Sequence, residues 1–126
     1  GAHGIIIPKR RSAGLTPAVF KASAGAVSYL PVARTPNITA AIKELKDAGI
    51  WVFGTDASAE KTLFEADFTI PTALVIGSEG TGMSRLVGEN CDFTVKIPMQ
   101  GHINSLNASA AAAVLLFETV RQRGVI

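Results

Sequence analysis

Cysteine, aromatic residues and long apolar runs are all scarce in this 126-residue chain. Cys91 is the only cysteine, so no internal disulfide can form, and the thiol is expected to be a half-buried structural one. The two histidines, His3 and His102, lie far apart in sequence. With a single cysteine besides, they offer no clustered ligand set, and no metal is expected. The longest uninterrupted apolar stretch, Ala110–Phe117, has eight residues, against the ~20 that a membrane-spanning helix needs. No pattern of basic start, apolar stretch and small-residue cleavage site occurs, and a cytoplasmic location is expected. Aromatics make up only 6% of the chain, yet 48% is hydrophobic and mean hydropathy is +0.32. That excludes a disordered tail and calls for a core of small and branched side chains closely packed.

The charge balance is less selective. Twelve Lys/Arg against ten Asp/Glu leave +2, which permits an RNA partner without requiring one. Lys9, Arg10 and Arg11 sit together, either as a solvated loop or as part of a contact surface. Arg121 and Arg123 have a simpler role, since cations at a helix C-terminus complement the backbone dipole.

Along the chain, short apolar runs alternate with helix-period segments, and no linker or internal repeat interrupts them. Gly4–Pro8 reads as a buried strand closed by proline. Thr16 and Pro17 supply an N-cap hydroxyl and a first-turn proline for a helix running to about Ala26. Tyr29–Ala33 reads as a strand made an edge by Pro31. Asn37 caps a helix whose Ile38, Ala41, Ile42 and Leu45 share one face, with Gly49 as its stop. Further strands are expected at Ile50–Phe53, Ala73–Ile76 and Phe93–Ile97. A final helix runs from about Leu106 to Gln122, with so little polarity through its middle that burial on all sides is expected, within the fold or in a dimer. Strands separated by helices define an α/β class with a mainly parallel sheet and helices on both faces.

Two segments could carry chemistry. Gly77-Ser78-Glu79-Gly80-Thr81-Gly82 follows a strand directly, where glycines let backbone approach a ligand. Its G-x-x-G-x-G spacing matches neither the dinucleotide fingerprint nor the P-loop. Glu79 stands inside it with no obvious structural partner except the short helix expected near Met83. The second segment, Ile97–Ser109, gathers Asn104, Ser105 and Asn107 where a strand hands over to the last helix, and capping that helix employs one of the three. Ser78 lacks the nucleophile-elbow sequence, so a hydrolase triad is unsupported. Binding chemistry, or group transfer to a bound nucleophile, remains.

Leu74–Met83, together with Ile97-Pro98-Met99 and Ser105-Leu106-Asn107-Ala108-Ser109, strongly resembles the second and third motifs of the SpoU family of RNA ribose 2′-O-methyltransferases. The resemblance covers nearly the whole chain, including Gly1–Pro8 and Ile50–Thr55. Within the family it is greatest to bacterial enzymes that methylate a guanosine of large-subunit (23S) ribosomal RNA. It implies a SPOUT-type fold with a C-terminal deep trefoil knot, a homodimer with sites at the subunit interface, and an RNA substrate. It also implies S-adenosylmethionine as cofactor, held at Gly77, Ile97 and Leu106 largely through backbone groups, with Thr55 and Met99 as neighbours. Glu79, Ser105 and Asn107 match the polar positions around the reacting centre. The family's first motif, an Asn-x-Gly stretch followed by a catalytic arginine, has no match, since Arg10, Arg11 and Arg34 lie outside it. Residues 1–126 are therefore expected to be an N-terminally truncated catalytic domain, possessing the cofactor site but poor in turnover alone. Three rival readings stay open: a transfer-RNA methyltransferase, a non-catalytic RNA- or nucleotide-binding module that has lost the first motif, and a generic flavodoxin-like domain whose Gly77–Gly82 loop holds a phosphate.

Overall fold

The computed structural model describes residues 1–10, 14–78, 81–103 and 105–125. The chain forms two compact units, Gly1–Ala41 and Ile42–Ile126.

In the first unit, β1 (Ile5–Pro8) pairs in parallel with β2 (Val32–Thr35), with Ile7 opposite Arg34 and Pro8 opposite Thr35. Between them lies α1 (Pro17–Ala22), whose N-cap Thr16 accepts a hydrogen bond from the Val19 amide. The helix stops four residues before the expected Ala26, because Ala24 (φ 53°) and Gly25 (φ 81°) both take the left-handed conformation. A short 3₁₀ turn, Ala26–Ser28, follows, and it occupies the residues leading to Tyr29. The second strand consequently begins at Val32 rather than Tyr29, with the Pro31 carbonyl accepting from the Ile5 amide at 2.9 Å. Tyr29 itself is almost fully exposed.

Asn37 caps α2 (Ile38–Asp47), its Oδ1 accepting from the Ala40 amide at 3.1 Å. Gly49, at φ 86°, ends the helix as the sequence predicts.

The second unit holds β3 (Trp51–Thr55), β4 (Thr72–Val75), α3 (Arg85–Asn90), β5 (Phe93–Val95) and α4 (Ala108–Gln122). Its sheet is wholly parallel in the order β4-β3-β5, with Phe53 opposite Leu74 on one side and Phe93 on the other. The chain thus leaves β3 toward one neighbour and crosses to the other, which makes a topological switch point at the carboxyl ends of the strands. Phe53, Leu63, Phe68, Val95 and Leu115 form the core, with Phe53 and Phe68 edge to face at 4.9 Å. Burying each such side chain is worth roughly 1.5–3 kcal/mol, enough to decide which face of an element turns inward. Cys91 is half-buried, its Sγ donating to the Val87 carbonyl; burial raises its pKa above the ordinary thiol value, consistent with the structural role expected.

Enclosure of the last helix by this chain alone is partial, so of the two expected forms of burial the fold supplies only one side. Among its described residues Leu115, Glu118 and Thr119 are buried, whereas Phe117 is 65% exposed and Val114 and Leu116 are exposed too. Its burial within this chain is one-sided. The buried carboxylate of Glu118 is tolerated because Arg121 Nε donates to it at 2.6 Å and Gln122 Nε2 at 2.8 Å. The same Gln122 donates to the Ala66 carbonyl and accepts from the Phe68 amide, and Arg123 Nε donates to the Phe68 carbonyl. Arg121 therefore acts through its bonds to Glu118 inside α4, whereas Arg123, with Gln122, fastens the helix end to the 66–70 turn, in addition to complementing the helix dipole. No helix among the described residues is long and apolar enough to cross a membrane.

Candidate functional site

Three loops leave the carboxyl ends of the second unit's strands and meet in a cleft of about 750 Å³. Thr55 and Asp56 come from the end of β3, Ile76–Ser78 and Thr81–Met83 from the loop after β4, and Lys96, Ile97, Met99, Ser105 and Leu106 from the segment after β5. Ala108 and Ala111 of α4 close one side.

The glycine loop after β4 is pinned by reciprocal hydrogen bonds. The Ser78 amide donates to the Gly82 carbonyl at 3.1 Å, and the Gly82 amide donates to the Ser78 carbonyl at 2.8 Å. Gly82 takes φ 69°, and Gly77 lies so close to the returning strand that a Cβ on it would stand 2.5 Å from the Met83 nitrogen. Both glycines are thus required by backbone geometry: one for the turn, one for the close approach. Behind the loop, Met83 fills the space over Gly54, where a Cβ would lie 2.7–2.9 Å from the methionine Cε and Sδ and from Cys91 Sγ.

The structure brings together Thr55, Gly77, Ile97, Met99, Ser105 and Leu106, six positions separated by up to 51 places in sequence, on one cleft wall or another. The Thr55 hydroxyl donates to the Val75 carbonyl at 2.9 Å, tying the ends of β3 and β4 at the floor. Asn107 does not line the cleft. It caps α4, accepting at Oδ1 from the Ala110 amide at 2.7 Å and from the Ser109 hydroxyl. Of the three polar residues in this segment it is the one that takes the capping role. Glu79 lies outside the described residues, as do Gly80 and Asn104. The helix expected near Met83 begins at Arg85 and is capped by Ser84.

Several lining residues had no motif to announce them. Asp56 accepts from the Ser58 amide at 2.9 Å and from its hydroxyl at 2.8 Å, and these bonds hold its carboxyl below the usual range, so a negative charge persists at the cleft. Arg85 and Glu89 pair at the rim through a 2.8 Å bond. Asp56 had one available signal, its position immediately after a strand's carboxyl end. Among the described residues no group of three metal-ligating side chains gathers.

A cleft of this size falls within the usual range for small-molecule and cofactor sites. Its walls combine apolar Ile76, Ile97, Leu106 and Met83 with backbone-rich loops, the surface that suits a ligand with both an apolar ring and many hydrogen-bonding atoms. The parallel sheet, the switch-point cleft and the glycine loop together define a ligand-binding α/β domain.

The chain belongs to the SpoU rRNA methylase family, whose pattern matches residues 1–117. It is 56% identical over 126 residues to YacO of Bacillus subtilis, which carries the name of a TrmH family tRNA/rRNA methyltransferase; the match takes in the whole chain and 51% of YacO. The SpoU methyltransferase AviRb of Streptomyces viridochromogenes, solved in complex with the cofactor AdoMet, superposes with a TM-score of 0.88 at 38% identity, over 100% of this chain and 52% of AviRb. A solved RNA 2′-O ribose methyltransferase superposes with a TM-score of 0.86 at 31% identity, over 98% of this chain and 47% of that one. The chain spans about half the length of each of these three relatives.

Proposed function

We propose that residues 1–126 serve as a SpoU methyltransferase catalytic domain, using S-adenosylmethionine to methylate a ribose 2′-hydroxyl of RNA, with a guanosine of large-subunit ribosomal RNA as first choice of target. The observation that carries the reading is the convergence of Thr55, Gly77, Ile97, Met99 and Leu106 on one cleft at the strand ends. Those five residues hold the cofactor, Gly77 and its neighbours through main-chain groups that only a side-chain-free position exposes. When bound, S-adenosylmethionine supplies an electrophilic methyl group. Little covalent chemistry is then asked of the chain, because alignment of the attacking hydroxyl with that methyl accounts for much of the acceleration. Ser105, on the cleft wall, orients the ribose hydroxyl; Asn107, at the start of α4 between the lining residues Leu106 and Ala108, is assigned with it to the reacting centre; and Glu79 positions the cofactor or organises the loop. A hydrogen-bond acceptor must also take the hydroxyl proton.

The family resemblance further supports a C-terminal trefoil knot and a homodimer in the cytoplasm. The exposed stripe Ala110, Ala113, Val114 and Phe117, at helical spacing on α4, suits the dimer seam. Light scattering of Phe117→Glu is expected to show a monomer where the unaltered chain is a dimer; a monomer in both cases sinks this assignment.

Isothermal titration with S-adenosylmethionine, followed by transfer of labelled methyl to ribosomal or transfer RNA transcripts and nucleoside analysis, tests the main reading. Absence of cofactor binding by the folded chain overturns it. Label recovered only in transfer RNA selects the second substrate class, and cofactor binding without methyl transfer selects a binding module.

A further inference from the structure

The charge of the chain divides sharply between its two units. Residues Gly1–Ala41 contain Lys9, Arg10, Arg11, Lys21 and Arg34 and not one Asp or Glu. The remaining seven Lys/Arg and all ten Asp/Glu fall in Ile42–Ile126, so the first unit carries +5 and the second, with the cleft, carries −3. The overall +2 hides this separation.

Three cations of the first unit, Lys9, Arg10 and Arg34, also lie close together. Lys9 continues directly from β1, its amide donating to the Thr35 carbonyl of β2 at 2.8 Å, and Arg34 stands opposite Ile7 on the neighbouring strand. Paired strands lie about 4.8 Å apart, so Lys9, Arg10 and Arg34 share the carboxyl end of this two-stranded ladder. Gly14 returns to the same place, where a Cβ on it would be 3.4 Å from an Arg34 terminal nitrogen. Lys9, Arg10 and Arg34 are all exposed. Like charges within a Debye length of about 8–10 Å repel one another, and the unit contains no carboxylate to offset them. Such an arrangement costs the fold stability and contributes nothing to a core; it does suit a polyanion, whose condensed counterions are released on contact.

We infer that the strand-end surface formed by Lys9, Arg10 and Arg34 is a phosphate-backbone contact for RNA. The inference rests on the RNA reading above and adds to it the surface that grips the substrate. Phosphate contacts of this kind set affinity and register, while sequence choice lies with other groups.

The experiment uses fluorescence anisotropy of a labelled RNA hairpin of mixed sequence, from about 50 to about 200 mM salt. Lys9→Gln/Arg10→Gln is expected to weaken binding at least tenfold at the lower salt and to reduce the slope of log affinity on log salt by about two. Lys43→Gln/Lys61→Gln removes the same charge from exposed positions of the second unit and is expected to stay within about twofold of the unaltered chain. Both variants should retain the original affinity for S-adenosylmethionine, which also confirms that they fold. Equal weakening by the two variants would show a net-charge effect and overturn the inference, as would undiminished binding by Lys9→Gln/Arg10→Gln. Failure of the unaltered chain to bind RNA while it binds the cofactor strikes the RNA reading itself. Sedimentation with phosphatidylglycerol vesicles forms the last arm: loss confined to vesicles would make this a lipid-facing surface and overturn the inference.

Discussion

Gly77 and Met83 are in backbone contact across the mouth of the glycine loop, so close that a methyl group on Gly77 would stand 2.5 Å from the Met83 nitrogen. The obstructing atoms are main chain and cannot rotate aside. Gly77→Ala is therefore expected to force the loop open, costing about 1–3 kcal/mol of stability and at least tenfold in S-adenosylmethionine affinity. Thermal denaturation and calorimetric titration check the two effects, and an unchanged affinity would remove Gly77 from the cofactor site.

Gly54 presents the opposite situation, since the atoms in its way belong to the Met83 and Cys91 side chains. Methionine is flexible and repacks at modest cost. Gly54→Ala should destabilise by about 1–2 kcal/mol, and Met83→Ala should recover part of that loss in the double variant. Strict additivity in the double-mutant cycle would show that the methionine does not meet this position.

Asn107 caps α4 and is also assigned to the reacting centre, and two substitutions separate these roles. Asn107→Ala removes the cap and is expected to cost about 1 kcal/mol. Asn107→Ser preserves a capping oxygen, so stability should stay near the original value while methyl transfer falls at least tenfold. Full transfer activity in Asn107→Ser would leave the residue with its capping role alone.

Glu118 makes folding pH-dependent in a defined direction. The hydrogen bond from Arg121 holds its carboxyl below the ordinary 4.5, burial opposes the shift, and the bond from Gln122 adds to it. A group whose pKa is lower in the folded chain than in the unfolded one binds its proton more readily when unfolded. Its contribution is thus complete above about pH 4.5 and disappears as the pH falls through the folded value. Denaturant titrations from about pH 6 to about pH 3 should show the stability gap between the unaltered chain and Glu118→Gln narrowing toward acid. A gap that is constant with pH would refute the assignment.

Much of the chain from Asn37 onward could be read from residue patterns. The Asn37 cap and the Gly49 stop bracket α2, and the apolar runs at Trp51–Thr55 and Thr72–Val75 lie within two residues of their expected places. Gly77, Ile97 and Leu106 were singled out through the resemblance to the SpoU motifs and not by their spacing, and all three line one cleft. Asp56, Arg85 and Glu89 were not legible, since an isolated charged residue looks the same in a cleft as on an open surface. The first unit was harder, because successive left-handed residues at Ala24 and Gly25 end α1 early and shift the following strand. A residue such as Ala24 carries no mark of that conformation.

The final helix marks the boundary between the two kinds of information. Its apolar run alone determined that a helix would form and that water was unsuitable for most of its surface, because those properties belong to local composition and spacing. Which side turned inward was a tertiary matter: Leu115 entered the core of Phe53, Phe68 and Val95, while the Gln122 and Arg123 bonds to the 66–70 turn oriented α4 with Phe117 outward. Likewise, the single cysteine excluded an internal disulfide from composition alone, whereas gathering Thr55, Gly77 and Leu106 around one cleft required the strands to be laid side by side in parallel, so that their carboxyl ends meet.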